Sequence, residues 1–117
     1  MPSLTRLKPG KRMSQAVIRG NAVYLAGQVA ETSAGKSVRE QTAEVLGAID
    51  ALLAEAGTNK TKIMMATIYL ADISTFAEMN EVWDKWVVEG ETPARATVEA
   101  KLVAPEYKVE IAVVATI

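Results

Sequence analysis

The chain has 117 residues, half of them apolar and 23% charged, enough for one globular core and too little charge for a disordered tail. Lys and Arg number 13 and Asp and Glu 14, and the resulting formal charge of −1 argues against a dedicated nucleic-acid binder. Neither Cys nor His occurs, which excludes the usual zinc sites, a thiol nucleophile, a Ser-His-Asp triad and a haem axial His.

Residues 1–12 carry Arg6, Lys8, Lys11 and Arg12 with no apolar stretch behind them. No targeting segment is expected, and these residues read as a partly mobile arm on a single domain spanning 1–117. The absence of cysteine suits a cytoplasmic protein. Ser14 to Ile18 and Ala22 to Val29 read as two strands turning at Arg19-Gly20-Asn21. Val38, Val45, Ile49, Leu52 and Leu53 recur at helical spacing, predicting a helix over 38–56 with Gly57 just past its end. Thr61 to Ala71 is β-branched and apolar on both faces, the pattern of a buried strand. Its run from Ile63 is about half of the roughly 20 residues a membrane helix needs. Ser74 or Thr75 can cap a second helix whose stripe is Phe76, Met79, Trp83, Trp86 and Val87. Pro93 opens a strand to about Leu102, and Tyr107 to Ile117 forms the last one. The order is β-β-α-β-α-β-β.

Two amphipathic helices cover only one face of such a sheet. The last strand places Val109, Ile111, Val113 and Ala115 on one face, yet Ala112 and Val114 lie on the other beside Lys108 and Glu110. A face that apolar is expected to bury against further subunits.

Several motif-like stretches carry no chemistry. Ala34-Gly35-Lys36-Ser37 resembles the tail of a phosphate-binding loop, but Ala30 stands where that motif needs Gly, so Ser37 reads as a helix start. Trp83 and Trp86 could stack a ligand; their helical spacing with Phe76 and Met79 favours core. Glu78, Glu81, Asp84, Glu89 and Glu91 read as a solvated face with no metal-ligand geometry.

The strand from Pro93 is different. Its period of two sets Arg95, Thr97 and Glu99 on one face and Ala94, Ala96 and Val98 on the other. A long cation between two alanines in an apolar strand is costly unless something pairs with it. Glu110 is likewise a carboxylate inside an apolar strand. A guanidinium is a planar fork for a carboxylate, and a half-buried Glu can hold or activate a water. The competing reading is structural: Arg95 pairs with Glu110, or with Glu99 on the strand surface.

At these residues the chain resembles the RidA/YjgF family of reactive-intermediate deaminases over nearly its whole length. The landmarks, in order, are Gly20-Asn-Ala-Val-Tyr-Leu-Ala-Gly-Gln28, Gln41, Leu53-Ala-Glu-Ala-Gly57, Tyr69-Leu-Ala-Asp72, Phe76-Ala-Glu-Met-Asn80, Pro93-Ala-Arg95, Val98-Glu99 and Val109-Glu-Ile111. The resemblance implies a chorismate-mutase-like α+β fold (the bacillus chorismate mutase type), a mixed sheet with two helices on one face. It also implies a homotrimer with pockets in the clefts between subunits.

By the same resemblance Arg95 grips the carboxylate of a 2-enamine or 2-imine acid such as 2-aminoacrylate, and Glu110 positions and activates water. Backbone groups near Gly27 and Ala96 orient the reacting carbon and nitrogen, and Asn80 matches a position near the pocket. The products are a 2-keto acid and ammonia, with no cofactor, metal, membrane or nucleic acid involved. Typical members have Tyr where this chain has Met13, Ser at Ala26 and Cys at Thr97, which marks an outlying branch. The alternative function is a trimer that binds a small carboxylate or keto acid without chemistry. An interaction role, or the ribonuclease activity described for some members, comes third.

Overall fold

The computed structural model describes residues 3–117. One mixed sheet carries every strand, and both helices pack on one of its faces. Its strands are β1 (Thr5–Leu7), β2 (Ala16–Arg19), β3 (Ala22–Leu25), β4 (Gln28–Val29), β5 (Ile63–Leu70), β6 (Ala94–Glu99) and β7 (Val109–Thr116). They lie in the order β1-β2-β3-β7-β5-β6, with β4 also paired to β7. Only β5 and β6 run parallel, because the helix α2 (Phe76–Trp86) carries the chain back between them.

The longer helix, α1 (Val38–Glu55), starts at Ser37, whose hydroxyl accepts from the Glu40 N–H while donating to the Glu40 carboxylate, a reciprocal cap. It ends one residue earlier than the spacing predicts, and Gly57 takes the left-handed conformation at φ 89° that terminates it. Val45, Leu46, Ile49 and Leu53 on α1 are fully buried, as are Ile68, Leu70 and Ile111 of the sheet and Met79 of α2. No helix of the described residues is long and apolar enough to cross a membrane.

Further expectations change. The supposed arm is ordered at Thr5–Leu7, which forms an antiparallel edge on β2 with Leu7 level with buried Ala16; Met1 and Pro2 lie outside the described residues. The strand expected over 22–29 is broken into β3 and β4. Tyr24 opposes Val114 while Gln28 opposes Ile111, so four steps on one strand match three on the other, a bulge at Leu25 to Gly27. Lys60–Lys62 makes a 3-10 turn capped by Asn59, which delays β5 to Ile63. Thr75 precedes α2 without a side-chain cap; instead the Asp72 carboxylate accepts from the Ser74 N–H and hydroxyl, shaping a short 3-10 turn that leads into the helix.

The chain after β6 folds back through residues 100–108. Gln41, wholly buried in α1, ties that segment down: its amide donates to the Lys36 and Glu106 carbonyls and accepts from the Lys108 N–H. This bond engages Lys108, so β7 begins at Val109 rather than at Tyr107.

Candidate functional site

Cross-strand partners share a face of the sheet, and successive residues alternate. Arg95 opposes Ala66, which is fully buried beneath the helices, so Arg95, Thr97 and Glu99 lie on the helix-covered face. Ala94, Ala96 and Val98 lie on the bare one. Three positions along β5 from Ala66, Tyr69 opposes Glu110, which puts Glu110 on the bare face as well. The face rule derived from the strand pattern is therefore met. The structural pairing of Arg95 with Glu110 is overturned, because the sheet itself stands between them.

Arg95 is half-buried against α2. Its Nη1 donates to the Asn80 Oδ1 at 2.8 Å, and its Cζ lies 5.2 Å from the Trp83 ring centroid and 5.6 Å from that of Phe76. These distances are in the range of cation–π attraction. Glu99 is occupied elsewhere, accepting from the Ile73 N–H. Among the described residues the ion pairs are those of Arg39 with Glu78 and Glu81, so Arg95 has no carboxylate of its own chain. Those pairs lie on the solvated face expected of Glu78 and Glu81, whose side chains remain well exposed. Two residues along β6, the Thr97 hydroxyl is buried with no hydrogen-bond partner.

Glu110 belongs to a second group. The bulge between β3 and β4 carries Gly27 directly over its carboxylate, so closely that a Cβ at position 27 would collide with Oε2. Ala26 donates its N–H to the Gln15 carbonyl, and the Gln28 amide donates to the Gln15 side chain. Met13, half exposed, lines a neighbouring cleft of about 530 Å³ together with Gly27, Lys8, Gln15 and Glu44. Donation from the Ser33 hydroxyl, and from the backbone N–H groups of Thr32 and Ser33, holds the Glu44 carboxyl below the usual carboxylate range. The predicted residues thus fall into two sets: Arg95, Asn80 and Thr97 under α2, and Glu110, Gly27, Ala26 and Met13 around the bulge. Ala96 sits exposed on the bare face opposite Thr67.

The chain matches the endoribonuclease L-PSP family model over residues 3–117. It is 48% identical over 114 residues to a RutC family protein of Haemophilus influenzae, covering 97% of this chain and 98% of that one. The RutC family protein YoaB of Escherichia coli is 45% identical over 115 residues, covering 98% and 99%. A crystal structure of a YjgF-family protein from Neisseria meningitidis superposes with a TM-score of 0.94 at 45% identity, covering 97% of this chain and 94% of that chain. The chain belongs to the RidA/YjgF family. Its two helices on a mixed sheet are the family's chorismate-mutase-like α+β fold.

Against that RidA/YjgF frame, strand pattern alone missed the aromatic setting of Arg95. Phe76 and Trp83 share the core-like stripe of α2. Trp83 is core by exposure, at 5%, but Phe76 is 39% exposed and both rings face the guanidinium. The available signal was the spacing of Phe76, Asn80 and Trp83 at i, i+4 and i+7, which sets an amide between two rings on one helix face.

Proposed function

We propose that this RidA/YjgF chain is the subunit of a cytoplasmic homotrimer that hydrolyses reactive 2-enamine and 2-imine acids, such as 2-aminoacrylate, to 2-keto acids and ammonia. The observation that carries the reading is Arg95: a half-buried guanidinium backed by two rings and one amide, with no carboxylate of its own chain to neutralise it. A cation so placed suits an anionic guest.

The bare face of the sheet supports assembly. It exposes Tyr24 and Val98 and includes Val17, Tyr69, Ala112 and Val114, a stretch too apolar to be left in water. Since Arg95 and Glu110 occupy opposite faces, the working site draws Arg95 from one copy and Glu110 from the next.

In that seam Arg95 holds the substrate carboxylate. The enamine takes a proton at C3 and becomes the imine. Water then adds at C2, Glu110 accepting a proton from it, and the proton passes to the nitrogen. The hydroxyl proton left on the adduct then moves to the nitrogen by way of Glu110, the C–N bond breaks with its electron pair leaving on ammonia, and the carbonyl closes. Water and imine are consumed, keto acid and ammonia released, and no other reactant is needed. Positioning supplies most of the effect in a reaction that water already carries out.

The test is ammonia release from 2-aminoacrylate generated in the assay. Purified protein accelerates it and Arg95→Ala removes the gain; well-folded protein with no acceleration rejects the deaminase. A second reading, capture of a small keto acid without turnover, is favoured by one observation: Met13 and Ala26 bring no hydroxyl to the bulge beside Gly27. Thermal stabilisation by 2-oxobutyrate without turnover selects it. The nuclease in the family model's name finds little in this chain, which has no His and a formal charge of −1.

A further inference from the structure

A guanidinium on an edge strand is free to swing, yet this one is held on three sides by a single face of α2. Phe76, Asn80 and Trp83 project from successive turns, and the Asn80 amide meets Nη1 between the two rings. The identity of the middle residue matters. A carboxylate there would bind the guanidinium more strongly but cancel its charge, whereas the neutral carbonyl of Asn80 orients it and leaves the charge available. The bond also selects an edge. Nη1 lies on the Cδ side of the guanidinium plane, so its bond to Asn80 occupies one nitrogen of the Nη1–Nη2 end, while Nε–H and Nη2–H, which point the same way, have no hydrogen-bond partner among the described residues. Trp83, almost fully buried, keeps water off the ring-facing side.

We propose that Phe76, Asn80 and Trp83 are positioning residues that present the Nε–Nη2 edge of Arg95, so that the substrate's carboxylate docks side-on in a bidentate pair. The inference rests on the reading of Arg95 as the carboxylate grip given under Proposed function. It assigns α2, the crossover helix between β5 and β6, a part in substrate recognition without contact to the reacting atoms.

Substituting Asn80→Asp separates charge from folding. The new carboxylate pairs with Arg95 and holds or raises thermal stability, while the affinity for 2-oxobutyrate falls by about ten- to a hundredfold. Asn80→Asp reads the charge and Asn80→Ala the orientation: a purely structural Asn80 predicts that folded Asn80→Ala keeps the wild-type affinity. Asn80→Ala and Trp83→Leu weaken 2-oxobutyrate binding, with the loss of turnover falling on KM more than on kcat, and Trp83→Tyr restores most of it. Combined with Arg95→Ala, Asn80→Ala adds nothing further. The Arg95 Nε–H resonance gives a readout independent of any ligand: it is shifted by the Trp83 ring in the wild type and returns to the position of exposed arginines in Asn80→Ala. A wild type that binds 2-oxobutyrate with an indifferent Asn80→Asp variant, or an Arg95 signal already at the exposed position, overturns the cradle alone. A locked Arg95 signal in a wild type that binds no 2-keto acid overturns the carboxylate grip and the cradle with it.

Discussion

Arg95 and Glu110 stand on opposite faces of one sheet, the first level with buried Ala66 and the second with Tyr69, an odd number of positions further along β5. No side-chain rotation brings them together within a chain. A site that needs both must be shared between copies.

That separation makes complementation the expected result. Arg95→Ala and Glu110→Gln proteins are each inactive alone, and when they are unfolded together and reassembled, about a quarter of the seams regain one intact partner from each side. Ammonia release measured after mixing reads this directly. Activity that stays at the level of the separate variants rejects a shared site.

The Gly27 bulge predicts a substitution that harms activity more than stability. In Gly27→Ala the new Cβ meets the Glu110 carboxylate, the far end of a side chain that can give way. Thermal melting should register a loss of about 1 kcal/mol. Turnover should fall by about tenfold or more, since the proposed role of Glu110 needs its carboxylate in place to hold water in line. Equal losses in both would assign Gly27 to folding alone.

Gln41 carries the opposite expectation. It is buried and fully hydrogen-bonded, to Lys36, Glu106 and Lys108, and it touches neither half of the site. Gln41→Leu strands two carbonyls and one N–H and should cost about 3 kcal/mol in denaturant unfolding. Turnover per folded protein at low temperature should change little.

Acid should loosen the loop at Thr32 and Ser33. The Glu44 carboxyl is held below its ordinary value by the Ser33 hydroxyl and the two backbone N–H groups. Its contribution is therefore complete above the unfolded-state value of about 4.3 and is lost as pH falls through the lower folded-state value. Amide exchange at Thr32 and Ser33 should rise across that window in the wild type and show no such step in Glu44→Gln. A pH-independent wild type contradicts the assignment.

Much of this was legible in the residues. Ser37 and Gly57 bracket α1, and the alternation of Val109, Ile111, Val113 and Ala115 marks the buried face of β7. What escaped depends on partners that periodicity does not name. Thr5–Leu7 is a strand only because β2 lies beside it, and the bulge at Gly27 exists only relative to the count along β7. The faces of Arg95 and Glu110 follow from alternation within each strand. Their relation to one another required the register of both against β5. Phe76 and Trp83 had the spacing of core residues, and spacing does not distinguish a leucine neighbour from a guanidinium.

The two halves also differ in how far the chain must reach to build them. In the cradle Asn80 and Arg95 are only 15 residues apart, inside one strand–helix–strand unit. Gly27 meets Glu110 only once the two ends of the polypeptide have come together across β7. Because distant segments find each other slowly, the setting of Arg95, the proposed clasp for an anion, should mature early in folding and that of Glu110, the proposed water-holding acid, late. A partly folded chain would then be able to grip before it is able to react.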